Sequence, residues 1–96
     1  MNEIEFNKIT SEMGNILRKK NSDYGGTIDN ISITGLLGVS VRSLDKAVRF
    51  YNLVKTQKEQ AVKEESIRDT LIDLANYCII GVMLIDGTWN KIDIKR

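Results

Sequence analysis

The chain has 96 residues, 42% hydrophobic and 28% charged, a composition that suits one small globular domain over residues 1–96. Fourteen basic against thirteen acidic residues leave a net charge of +1, so bulk electrostatic coating of nucleic acid is not expected. With no histidine and a single cysteine, Cys78, a Ser-His-Asp triad, a His-ligated zinc site and an internal disulfide are excluded.

The first predicted element is an amphipathic helix over residues 2–20. Phe6, Ile9, Met13, Ile16, Leu17 and Lys20 recur there at steps of three and four. Asn2 with Glu5 three residues on reads as a capping pair. The acids at this end stand where an export signal needs bases. The longest apolar run, residues 78–85, falls short of the ~20 residues that span a bilayer. A cytoplasmic chain without a membrane partner is expected. Residues 21–26, Asn-Ser-Asp-Tyr-Gly-Gly, predict a turn that stops the helix.

A connector over 27–33 leads to a second helix running to about residue 53, capped by Ser32 or Thr34. Leu37, Val41, Leu44, Val48 and Tyr51 share one arc of it and are expected to be its core face. Residues 55–63 are polar and read as a loop or a frayed extension. Glu64, Glu65 and Ser66 open a third helix that ends near residue 85, before Asp86-Gly87. Its first half carries one apolar stripe, Ile67, Leu71, Leu74 and Ala75. The tail over 91–95 alternates polar and apolar residues, as a short strand or extended arm does. The expected fold is all-α: three helices with a short extended C-terminal tail.

Residues 78–85 are apolar on every side, and a helix of that kind must be covered on every side. Protomers burying these ends against each other in a helical-bundle homo-oligomer would cover them. The alternative is a monomer in which the tail and the first helix complete the cover. Cys78 reads as inert packing and Trp89 as a lid on the core.

Two charged ridges carry the chemistry. Arg42, Asp45, Lys46 and Arg49 share one face of the second helix, opposite its apolar arc. Glu65, Asp69, Asp73 and Asn76, with Tyr77 beside them, share one face of the third. Three cations within two turns can grip a phosphate or diphosphate. Asp69 and Asp73 could hold a divalent cation through water and substrate phosphates. Tyr24 or Tyr77 can stack on a nucleobase, and Gly25 and Gly26 let backbone N–H groups approach an anion. The plainer alternatives are that each ridge is a solvent face, that the two pair as salt bridges, and that the tyrosines only pack.

KKNSDYGG at 19–26, GLLGVSVRSLDKAVRFYNL at 35–53 and EESIRDTLIDLANYCII at 64–80 together resemble the nucleotide modification associated domain 1 family. These are small, largely phage-encoded proteins with a K-x-x-D-Y-G turn, an R-x-x-D-K-x-x-R helix and a D-T-L-x-D-L-A-N-Y helix. The resemblance implies a site at Lys20, Asp23, Tyr24 and Gly25; Arg42, Asp45, Lys46 and Arg49; and Asp69, Asp73, Asn76 and Tyr77. The layout is also similar to the MazG-type all-helical nucleotide pyrophosphohydrolases, whose acidic helices bind magnesium. Here only Asp45 remains acidic in the comparable stretch, amid cations that repel a metal and attract phosphate directly. The reading is therefore a binding protein with no catalytic residue and no cofactor. It captures a nucleotide, cyclic nucleotide or nucleotide-derived signal through the basic ridge and the DYGG loop, in counter-defence. The alternative is a Mg2+-dependent pyrophosphohydrolase using Glu65, Asp69 and Asp73.

Overall fold

The computed structural model describes the backbone of residues 1–24, 30–56 and 60–89, and all of their side chains except those of 23, 24 and 60–63. These residues form three helices and no strand: α1 (Glu3–Tyr24), α2 (Asn30–Thr56) and α3 (Gln60–Asp86). The expected tail arm lies outside them. No helix among the described residues is long and apolar enough to cross a membrane.

Helix α1 starts where its cap dictates. The Asn2 side-chain oxygen accepts the Glu5 backbone N–H at 3.0 Å, satisfying a donor that the first turn leaves open. The helix runs four residues past its expected end, through Asn21 and Ser22 to Tyr24. Such residues lower helix propensity by only about 0.7 kcal/mol at most, too little to stop a helix already formed.

Helix α2 begins earlier than expected, at Asn30, and is broken at Gly35 (φ 64°, ψ −152°). Thr34 is not a cap; its hydroxyl donates to the Asn30 carbonyl at 2.6 Å. The short first turn delivers Ile31, 1% exposed, into the core. Helix α3 closes as anticipated at Gly87, whose φ is 73°. The Thr88 N–H reaches the Met83 carbonyl at 2.8 Å and the Gly87 N–H reaches Leu84 at 3.2 Å, the paired bonds of a Schellman motif. That reversal turns Trp89 back onto the cluster of Ile31, Val39 and Ile80, with Leu17, Tyr77 and Leu84 around it. The lid expected of Trp89 is what it forms.

Helix α3 is central: α2 packs along it and α1 touches it more lightly. The face that α2 turns inward is not the expected one. Leu37, Leu44 and Tyr51 are 76%, 63% and 61% exposed, and Val41 and Val48 are exposed with them. Val39, Arg42, Lys46, Phe50 and Leu53 are the buried or half-buried positions instead. On α3, Leu71 of the expected stripe is exposed, whereas Thr70, Ile72 and Asn76 are buried. Within one chain the polar ridges face each other, because α3 presents Thr70 and Asp73 and α2 supplies their partners. The apolar arc is left outside. Cys78 is an exposed free thiol, not a packed one, because the distal half of α3 is covered along Ile80 and Gly81 while Ile79, Val82 and Ile85 stay exposed.

The Gly35 backbone lies in a region essentially confined to glycine, and a side chain there costs about 1–3 kcal/mol. A Cβ at Gly35 would meet nothing within 4 Å, so the penalty is purely conformational. Gly35→Ala is expected to lower the urea midpoint with an unchanged slope; an unshifted midpoint would mean that the break is not obligatory.

Candidate functional site

Three helix faces converge. Met13, Leu17 and Lys20 follow one another at steps of four and three on α1. Arg42, Lys46 and Arg49 do so on α2, and Thr70, Asp73, Tyr77 and Ile80 on α3. Asp73 is the point they share. Its Oδ1 accepts from Lys20 Nζ and its Oδ2 from Lys46 Nζ, each at 3.1 Å. Partial burial works to raise the Asp73 carboxyl, but the hydrogen bonds and charges of the two ammonium groups outweigh it and hold the pKa below the usual carboxylate value. Each ammonium has three donors, and the carboxylate takes one from each.

Arg49 donates through Nε to the Thr70 hydroxyl at 3.3 Å, and that hydroxyl in turn donates to the Ser66 carbonyl at 2.7 Å. Arg42 reaches the Thr34 hydroxyl at 3.5 Å. The ridges do pair, as the plainer reading anticipated, at Lys46 with Asp73 and Arg49 with Thr70, and among the described residues Arg42 and Arg49 belong to no ion pair. Asp45, Glu65 and Asp69 are exposed and belong to no ion pair among the described residues. Tyr77 is half-buried against the core and lines a cavity of about 50 Å3 together with Leu17, Lys20, Asp73, Asn76 and Ile80. That space suits water, not a nucleotide.

Asn76 is 6% exposed and ties α3 to α1 by donating from Nδ2 to the Met13 carbonyl at 3.0 Å. Among the described residues its Oδ1 is buried with no hydrogen-bond partner, as is Nε1 of Trp89. Each such group costs about 1–3 kcal/mol while it stays unpaired. A second α1–α3 tie is the two-pronged bond of Arg68 to Glu12, at 2.7 and 2.8 Å. Of the turn residues, Asp23 and Tyr24 end α1 with side chains outside the described set, and Gly25 lies outside it altogether.

Sequence reasoning missed Thr70 and the polar edge of Trp89. Thr70 was findable, since it stands three residues before Asp73 and therefore on the same face. The polar role of Trp89 depends on where the helix stop aims it, which no spacing encodes.

No three His, Cys, Asp or Glu side chains among the described residues gather so as to hold a metal ion. Both Asp73 oxygens face ammonium groups, so a magnesium ion on Glu65, Asp69 and Asp73 does not fit this arrangement.

The family model described as nucleotide modification associated domain 1 matches residues 20–85, which takes in Lys20 and the α2 and α3 faces of the junction but not Met13 or Leu17 of α1. The chain belongs to that family. No curated protein and no solved structure matches it.

The folded pKa of Asp73 lies below its unfolded value, so its ion pairs stabilise the fold above the ordinary carboxylate pKa of about 4 and are lost as pH falls through the folded value. Glu12, held down first by its hydrogen bond from Arg68, acts in the same direction. The denaturation midpoint is expected to stay level from neutrality to about pH 5 and to fall below pH 4. Asp73→Asn should remove part of that fall; an identical fall in the variant would mean that the contact carries no stability.

Proposed function

We propose that this member of the nucleotide modification associated domain 1 family binds a nucleotide, or a signalling molecule derived from one, and sequesters it without turning it over. The observation that supports this best is the convergence of Lys20, Lys46 and Arg49 from two helices on Asp73 and Thr70 of a third. A carboxylate that takes one donor from each lysine orients the ammonium groups without exhausting them. The Thr70 bond uses only the Nε–H of Arg49, and its terminal nitrogens carry no other bond among the described residues. Pre-placed donors of this kind suit phosphate oxygens.

In this reading Lys46, Arg49 and Arg42 take the phosphates and Lys20 supplements them. Tyr24 and Gly25 of the DYGG loop meet the base, while Tyr77 packs against the core behind the junction. Asp73 orients the cations, while Asn76, Asp23, Asp45 and Asp69 serve base and ribose. A phage-type protein of this size acting in counter-defence needs affinity and abundance, not a means of activating water.

The protein assembles, on the same proposal, as a homo-oligomer. Leu37, Val41, Leu44, Val48 and Tyr51 are spaced four, three, four and three, the step of a helix–helix seam, and all five are exposed. Their exposed area, roughly 500–600 Å2 per copy, approaches the ~800 Å2 per partner of a standard interface.

Calorimetry against mono-, tri- and cyclic nucleotides is expected to find a ligand. Lys46→Ala with Arg49→Ala should weaken it by about 100-fold, since bonds to charged groups contribute ~1.5–3 kcal/mol each. Failure of every nucleotide to bind would remove the proposal. Steady release of pyrophosphate from a nucleoside triphosphate with magnesium, abolished by Asp69→Ala, would replace it with the hydrolase. Light scattering should show an oligomer that Leu44→Asp converts to a monomer; a wild-type monomer at micromolar concentration would sink the assembly.

A further inference from the structure

Besides the cationic junction, α1 and α3 enclose a cleft of about 400 Å3 roofed by Trp89, within the size range of small-molecule sites. Met13 and Leu17 form one wall and Ile79 and Met83 the other. Thioethers and an indole are the side chains that pack well on flat π systems. Two residues of this lining, Asn76 and Trp89, hold the side-chain polar atoms that are buried without hydrogen-bond partners among the described residues, Oδ1 and Nε1. One is an acceptor and the other a donor. The Asn76 amide cannot trade its ends to escape, because Nδ2 is already engaged by the Met13 carbonyl. Both atoms are closed to solvent in the empty cleft, so a ligand meets them by displacing the side chains that cover them, and pairing them would repay that displacement.

We infer that this cleft is the seat of a flat heteroaromatic ring whose edge offers a donor to Asn76 and an acceptor to Trp89, as the edge of a nucleobase does. The inference rests on the nucleotide reading above and deepens it: the base enters between α1 and α3 instead of stacking on the tyrosine turn. Leu17 and Asn76 also line the small cavity at Lys20 and Asp73. The base cleft and the cationic junction therefore share a wall, so a ring in one and a phosphate at the other sit on two sides of the same pair of residues.

Trp89 is the one tryptophan in the chain, so its emission reports the cleft directly. Free nucleosides, which lack phosphate, are titrated into the full chain by fluorescence, and pyrophosphate, which lacks a base, by calorimetry. At least one nucleoside should shift or quench the emission saturably. Asn76→Leu should weaken that nucleoside at least tenfold while pyrophosphate still binds. Trp89→Phe, followed by calorimetry, should weaken the nucleoside severalfold by removing the indole N–H together with part of the ring surface. Pyrophosphate binding without any nucleoside response overturns the base cleft and leaves the phosphate site standing. Nucleoside binding without pyrophosphate supports the cleft and removes the phosphate roles of the lysines. Nucleoside binding unchanged in both variants overturns the assignment of Asn76 and Trp89.

Discussion

A single carboxylate on the middle of α3 holds an ammonium group from each of the other two helices. Among the described residues the backbones of α1 and α2 do not approach each other closely, so besides the core that Leu17 touches, Asp73 is where they are brought to a common point. The apolar core alone is thin: Ile31, Val39, Ile72 and Ile80 are its buried members among the described residues. The polar ties of Asn76 to Met13, Arg68 to Glu12 and Arg49 to Thr70 supplement what hydrophobic burial of that size provides. Exposed ion pairs are individually weak, about 0–1 kcal/mol. Their value here is directional, since each fixes the rotation of a helix about its axis and so decides which side chains point inward.

The same polar logic unites stability and function. A protein that meets its own carboxylate with two lysines has already oriented two cations before any ligand arrives. The cleft between α1 and α3 shares Leu17 and Asn76 with that junction, and on the proposed reading it takes the base. Preorganised charge and unpaired buried polarity are both costly in an empty protein, and both are reasons for a ligand to bind.

Much of the fold was legible in the sequence. Helix number, the Asn2 cap and the Gly87 stop followed from caps and periodicity, which are local properties. That the ridges of α2 and α3 could pair was legible too, because spacing places Lys46 and Asp73 on definite faces. What spacing cannot say is which face meets which neighbour. The arc of Leu37 to Tyr51 reads as core on any helical wheel, yet within one chain it faces outward because the opposing ridge has polar partners on α3. Helix ends were missed for a milder reason: Asn21 and Ser22 disfavour helix too weakly to terminate α1. The orphaned edges of Asn76 and Trp89 arise only when three segments meet, so no single stretch of sequence announces them.

Helix α2 beyond Gly35 is one rod with an obligation on each side. A roll about its axis that improved the seating of Leu44 and Val48 against a neighbouring molecule would swing Lys46 and Arg49 away from α3 through the same angle. The break at Gly35 separates this rod from the turn that anchors Ile31, so on the rod itself it is Val39, buried in the core, that resists such a roll. If the proposed assembly and the proposed ligand both hold, quaternary contact and ligand grip would be two readings of a single torsional coordinate.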